Sequence, residues 1–456
     1  MNFHRTLPPG QADPIRCRQG TILQLTAITL TISLSMMGLV IETGRLMARS
    51  REVQTAADSA ALVAAEMLNR QATNTTARTT AISFASTYNG VTPGSVLINL
   101  PPTSGPYANT TGFAETRITF WLDTPLGRLL NASTHTPLHA RALAGPKATP
   151  WTDVVLALDT ESVPGITATG SGQLRVEGDC ATNSHGGGID ENGQTVTGLA
   201  GYGAQVSLAG SISSHQVRVT GGVNAPSNFV GLSPGDSNPL TCRAGGTPDP
   251  LRDLPAPRAT YGVSIIDRGR IRSTTSGTTL AARPGLYSEI FVTAGTVTFQ
   301  PGIYVIRGGS LTLTGGTISG RGVLFYLTGT DYSALYGTPD NGDGENTPTG
   351  STAMGGVTIS TPVTLTGFDN PGNPMHGLLI YTRRFNTNPI ILSSNVQDGN
   401  LRGTIYSKWG PLTLAGQGTY NVQCIVRKAS WIGSQNLTLT LTGSNLVKST
   451  RVSLLE

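Results

Sequence analysis

The stretch Thr21–Ile41 holds 21 residues without a charged side chain, and it constrains this chain more than any other feature. At ~1.5 Å per helical residue it reaches about 30 Å, the hydrocarbon thickness of a bilayer. Arg5, Arg16 and Arg18 precede it; Arg45, Arg49 and Arg51 follow it. The leading positive charge predicts a cytoplasmic N-terminus, and the trailing arginines reduce that bias. Gln24, Thr26, Thr29, Thr31, Ser33 and Ser35 make the segment polar for a span. Ser and Thr hydroxyls can return to their own backbone carbonyls, so a spanning helix tolerates them. The apolar run is longer than the core of a signal peptide, and no small-x-small site closes it. An uncleaved, single-pass anchor is therefore expected.

The helical pattern continues past the span. Leu39, Leu46, Val53, Ala60 and Met67 recur every seven residues, flanked by Ala56, Ala57, Ala61 and Ala64. Proline is absent from Thr21 to Tyr88. One helix of roughly 70 Å is expected. Its small-residue face permits close packing on the sheet of the same domain or on another helix, including self-association through the N-terminal helix.

Two stretches carry a family resemblance: Glu42-Thr-Gly-Arg-Leu46 and the run Val53 to Ala65. Together they resemble the N-terminal motif of TadE/TadG-like Flp pilus-assembly proteins, at Gly44, Arg45, Gln54, Ala56, Ala57, Asp58, Ala60, Ala61 and Leu62. The resemblance implies a structural or assembly component at the bacterial inner membrane, with other pilus-assembly proteins as partners and the bulk of the chain exocytoplasmic, in the periplasm. Members processed like prepilins have Glu five residues after the cleavage-site Gly. Here Gly20 is followed by Thr21, and Leu25 stands where Glu is required, so an unprocessed TadG-like protein is implied.

After a leader (residues 1–20) and the span (21–41), residues 42–145 read as a pilin-like α+β unit. A long helix is followed by strands over Val96–Leu100, Thr116–Leu122 and Leu138–Leu143, with Pro125–Leu130 between the last two. Gly145-Pro-Lys-Ala-Thr-Pro150 reads as the close of that unit and a linker at 146–150.

From residue 151 to 456 the texture changes. Short runs with apolar/Thr alternation arrive densely between glycines, as in Thr296–Phe299, Gly302–Ile306, Ser310–Thr314 and Leu437–Leu441. Gly (57 residues) and Pro (28) are abundant and only 12% of residues are charged. Ser, Thr and Gly supply the solubility, which suits exposed β-structure with many turns. A right-handed parallel β-helix is expected, although no strict period can be counted; the alternative is a jelly roll or β-sandwich. The region also resembles the C-terminal part of some Tad-motif proteins, at Ala157–Asp159, Cys180-x-x-Asn-Ser184, Asp249–Leu251 with Leu254–Pro257, and Gly302-x-Tyr304 before Gly308–Thr312.

Candidate chemistry is sparse. Asp159 ends a hydrophobic strand as in a von Willebrand A metal site, but Glu161 and Val163 occupy positions that need hydroxyls. His185-Gly-Gly-Gly188 resembles an esterase oxyanion loop, yet no Gly-x-Ser-x-Gly elbow exists. Asp340–Glu345 is acidic, but Pro339 and Gly350 fall on the terminal ligand positions of a calcium loop. Asp267, Asp331, Asp369 and Asp398 recur at no common interval and form no recognisable acid/base pair. No enzyme, cofactor or metal site is expected. The second functional class is a membrane-tethered β-helical carbohydrate binder or polysaccharide lyase. Aromatics are only 6%, and Trp151, Trp409 and Trp431 lie far apart, which disfavours it. The net charge of +5 is spread along the chain without a basic run, and this argues against nucleic acid. Beyond Cys17, the cysteines Cys180, Cys242 and Cys424 would share an oxidising compartment, where one disulfide at most can form among them.

Overall fold

The computed structural model describes residues 19–69, 72–124, 135–150, 153–252, 254–338, 352–393, 400–441 and 448–455. The leader arginines, Pro125–Leu130, Trp151, Asp340–Glu345 and Asp398 lie outside them. Two compact units divide between Lys147 and Ala148, and residues from Arg451 onward belong to the first.

In the first unit, α1 runs from Gln19 to Asn69 without interruption. A four-residue gap separates it from α2, Asn74–Asn89, which is capped by the Thr73 side chain and closed by Gly90 in the left-handed region. The second helix was not expected from the sequence; its Thr- and Ser-rich face carries little apolar signal. Ala77, Ala81 and Ala85, spaced by four, meet Ala56, Ala57, Ala60, Ala61, Ala64 and Ala65 of α1, and all nine are fully buried. The Asn89 amide donates to Ser59 Oγ (2.9 Å), so α2 folds back along α1. The alanine face is therefore covered within the chain by α2 and the sheet, leaving no open seam there for self-association.

An antiparallel sheet lies against this helix pair. Its strands are Val96–Asn99, Ala114–Asp123 and His135–Pro150, with Ile98 paired to Thr116 and Ile118 to Ala140. A fourth strand, Lys448–Leu454, joins its edge from the far end of the sequence. Glu115 is buried and tied down by Arg117 and Arg141, by the Thr103 N–H and hydroxyl, and by Asn99 and Ser104. Burial pushes its carboxyl upward, but the Thr103 N–H, Arg141, Asn99 and Ser104 outweigh it and hold the group well below the usual range.

The second unit is almost entirely parallel sheet. In one nine-stranded sheet Arg270–Ser273 pairs with Glu289–Val292, then in turn with Leu311–Leu313, Val357–Ile359, Ile390–Leu392, Leu412–Ala415 and Ala429–Ile432. In the larger sheet the long strands, such as Thr317–Thr328 and Leu401–Ser407, bend in mid-course and contribute to two adjacent tracks. The bend in Leu401–Ser407 falls at Gly403 (φ 136°), where an added Cβ would press within 2.9 Å of Leu379 Cβ. Inward positions stack in register: Val297 over Ile318 over Val363, and Ile290 over Leu311 over Val357. Every one of these is at most 2% exposed. Outward neighbours are mostly Thr and Ser. The step between adjacent rungs is 21 residues where Thr298 meets Ser319, but insertions before Val357 and Ile390 break the repeat, which is why it is not countable in the sequence.

The stack is not built in chain order. Ala429–Ile432 pairs with Ile166–Thr169, Leu437–Thr440 with Gln173–Thr182, and Cys424 stands opposite Val155. The rungs at the start of the unit thus dock on those at its end. To reach the opposite end of the stack, the chain crosses it as an irregular Pro-rich strap from Cys242 to Ile266. Side chains of successive rungs hold this strap. Asn183 brackets Thr247, donating to its carbonyl and accepting from its N–H (2.8 and 2.7 Å). Tyr406 OH donates to Asp249, Arg384 Nη2 to the Leu251 and Leu254 carbonyls (2.6 and 2.9 Å), and Tyr332 OH to Pro257. Beneath it Tyr332, Tyr326, Tyr381 and Tyr406 form a ladder with centroids 4.9–5.9 Å apart.

Two outcomes follow from these contacts. Because the native Glu115 carboxyl titrates below its unfolded value of about 4.3, its stabilisation is complete above that pH and is lost as pH falls below it. Glu115→Gln should lower stability by about 2–3 kcal/mol at neutral pH, with a smaller difference near pH 3, in urea unfolding of the detergent-solubilised chain. Arg384→Met removes the guanidinium from both strap carbonyls, and the Leu251 carbonyl keeps the Leu254 N–H (3.0 Å). The substitution should lower the unfolding temperature and accelerate tryptic cleavage at Arg252 and Arg258 several-fold; unchanged cleavage would show that the strap is held by other contacts.

Candidate functional site

The N-terminal half of α1 is the longest stretch of the described chain with an apolar surface facing nothing. Ile22, Leu23, Leu25, Ile28, Leu30, Ile32, Leu34, Met36, Met37, Leu39, Val40, Ile41 and Met47 are each more than half exposed. Four of its polar residues are accommodated within the helix: Thr26 donates to Ile22 O (2.6 Å), Thr29 to Leu25 O (2.9 Å), Thr31 to Ala27 O (2.7 Å) and Ser35 to Thr31 O (2.8 Å). With their hydroxyls turned onto backbone carbonyls, these side chains need no water. The helix is long and apolar enough to cross a membrane.

The motif residues divide by position along this one helix. Gly44 has open space around it and Arg45 is exposed. From Val53 onward the same helix is the wall of a folded core. Gln54 Nε2 donates to Asp58 Oδ1 (2.8 Å) and to the Arg141 carbonyl (3.0 Å), linking helix to sheet. Ala56, Ala57, Ala60 and Ala61 are the buried face, with Leu62 packed at its margin.

The described candidate carboxylates of the second unit, Asp159, Asp267, Asp331 and Asp369, each have a separate partner. Asp159 accepts from Ser162 Oγ (2.6 Å), the Glu161 N–H and Arg427 Nε (2.7 Å). Burial works against its ionised form, but these donors prevail and lower its pKa. The Asp159–Arg427 pair joins residues 268 apart and ties the first rungs to the last. Asp267 pairs with Arg307, Asp331 with Arg383 (2.6 Å), and Asp369 faces His376 Nδ1 at 3.8 Å. Among the described candidate acids, Asp159, Asp267 and Asp331 meet arginines and Asp369 a histidine. His185 is exposed, and its glycines serve backbone packing: a Cβ on Gly186 would lie 2.3 Å from the Tyr202 carbonyl carbon. Among the described residues no group of three His, Cys, Asp or Glu side chains is placed to hold a metal.

Cys180, Cys242 and Cys424 are buried free thiols, and burial pushes each up to about 12. Cys180 and Cys424 lie on either side of Val155 in register. Two strand spacings, ~9.6 Å, separate them, beyond the reach of a disulfide. The residues that sequence reasoning missed are Arg384, Arg427 and Asn183, which hold the strap and the seam. Asn183 lies inside the quoted Cys180-x-x-Asn-Ser184 pattern, but the two arginines carry no local signal.

No curated protein matches the chain. Two solved structures align weakly. One is an ice binding protein from an Antarctic Biological Consortium, at 14% identity, covering 64% of this chain and 91% of that one, with a TM-score of 0.20. The other is the competence-associated pilin ComZ from Thermus thermophilus, at 10% identity, covering 79% and 87%, with a TM-score of 0.25. The family model described as putative Flp pilus-assembly TadE/G-like matches residues 20–67, the span and the alanine motif together. Residues 20–67 are thus similar to the TadE/G-like pilus-assembly family, and the match spans the membrane-length segment and the alanine motif alone.

Proposed function

We propose that this protein is a non-enzymatic structural component of a Flp/Tad-type pilus or related envelope apparatus, anchored in the bacterial inner membrane. One observation carries the reading: within the family-matched helix, residues up to Met47 present apolar surface outward while residues from Val53 build a folded core. A helix divided in this way tethers a folded unit directly at a bilayer surface. The N-terminus is cytoplasmic, supported by Arg16 and Arg18 before the span, and the chain from about Gly44 is periplasmic. The expected linker at 146–150 is instead the end of the strand His135–Pro150; residues 42–147 together with the terminal strand Lys448–Leu454 form a pilin-like unit, and the parallel stack of the second unit is a right-handed β-helix. The in-register parallel pairing of rung on rung supports the last assignment, and right-handed crossovers are the rule for parallel strands. Other pilus-assembly proteins are its partners, and prepilin peptidase leaves it intact because Leu25 replaces the required Glu.

Replacing residues 1–41 with a cleavable secretory signal tests the anchored role. The released protein should appear in the soluble periplasmic fraction, and surface pili should be lost despite its normal accumulation. The native chain should resist carbonate extraction. Normal piliation from the released form would contradict a role that depends on the anchor.

A further inference from the structure

The two ends of the parallel stack are finished differently. At one end the strand Ala204–Ser207 is covered: Asn224 accepts from the Val206 N–H (3.0 Å) and donates to its carbonyl (2.6 Å), doing with a side-chain amide what a further strand would do. The neighbouring edges there are the two-residue strands Phe229–Val230 and Leu240–Thr241, too short to template pairing.

Among the described residues the other end has no such cover. Arg270–Ser273 pairs only with Glu289–Val292, and Thr279–Ala282 only with Thr296–Phe299. The Gly269 and Ser273 carbonyls accept from Ser288 and Thr293, and the Thr278 and Ala282 carbonyls from Thr296 and Gln300. Backbone groups alternate sides along a strand, so the N–H and C=O of Arg270, Arg272, Thr279 and Ala281 point away from the stack. No backbone hydrogen bond outside the strand pairing reaches these four residues. Beside this edge Ile265 and Ile266 are 60% and 53% exposed. The terminal rung, residues 264–283, holds Arg268, Arg270, Arg272 and Arg283 against the single acid Asp267, which is already paired with Arg307; Arg272 also faces Glu289 of the next rung at 3.6 Å, so the rung keeps a positive excess.

We propose that this edge is a docking site for an extended, acidic segment of another protein, which adds as a further strand beside Arg270–Ser273. Main-chain pairing supplies the attachment, Ile265 and Ile266 offer apolar contact, and the arginines select acidic side chains. A second copy of this chain is a poor occupant. Its equivalent edge would bring arginine against arginine, and its opposite end is closed by Asn224. This inference is independent of the pilus assignment.

The test uses the full chain in detergent and a fluorescent peptide of about ten residues with alternating Val and Glu. Anisotropy should report saturable binding, weakened at least about tenfold by Arg270→Glu with Arg272→Glu and by N-methylation of one peptide edge. Ile271 is untouched in that variant, so the core under the edge is kept. Bound peptide should also slow hydrogen exchange at residues 270–273. Absence of binding overturns the proposal. So does equal binding of the N-methylated peptide, which would mean charge attraction alone. Concentration-dependent self-association that the double substitution abolishes would assign the edge to a second copy and overturn it too.

Discussion

The second unit depends on the pairing of its last rungs with its first. Leu437–Thr440 lies beside Gln173–Thr182 and Ala429–Ile432 beside Ile166–Thr169, so the hydrophobic column is continuous only when both ends of the unit are present. Gln423 Nε2 donates to the Asp153 carbonyl across 270 residues, and Arg427 to Asp159 across 268. Stacked rungs ordinarily gain stability from the neighbour next in sequence. Here one interface joins the most distant segments, and closing so long a loop is an entropic cost that local rungs do not carry.

That closure explains the strap. A chain that begins in the middle of its stack must travel to the far end before winding back, and the connecting segment has to cross the outside. Prolines remove backbone donors that would otherwise need partners, and side chains from the rungs satisfy the rest. Arg384 meets two strap carbonyls and the Tyr406 hydroxyl. The buried tyrosine ladder beneath is the apolar floor on which Leu251 and Leu254 sit.

Much of the architecture was legible in the residues. The uncharged Thr21–Ile41 segment and the alanine run mark the helix, and apolar/Thr alternation marks strands such as Thr296–Phe299. The α2 helix was not legible, because three alanines among Thr and Ser read as a polar stretch until α1 covers them. The final strand was missed because Lys448–Leu454 pairs with a strand some three hundred positions earlier, and no local pattern encodes such a partner. The same limit hid Arg384 and Arg427, whose roles exist only where distant rungs meet. In contrast, Asp249, Leu251 and Leu254, quoted for a resemblance without chemistry, are strap residues. Their pattern reflects the geometry of crossing the stack. The candidate acids were readable as residues, but only the fold shows that Asp159, Asp267 and Asp331 meet arginines and Asp369 a histidine.

For function, the consequence is a compact body of paired parallel strands in a chain whose family-matched helix has one lipid-compatible half and one core-forming half. The seam between first and last rungs is the feature on which this account stands. Nitroxide labels at Thr167 and Ser430, outward-facing residues paired directly across it, test it most simply. The account predicts strong dipolar broadening of the continuous-wave spectrum in the folded full-length chain, lost on unfolding. Spectra equal to the sum of the two single-label proteins would contradict the closure and the architecture built on it.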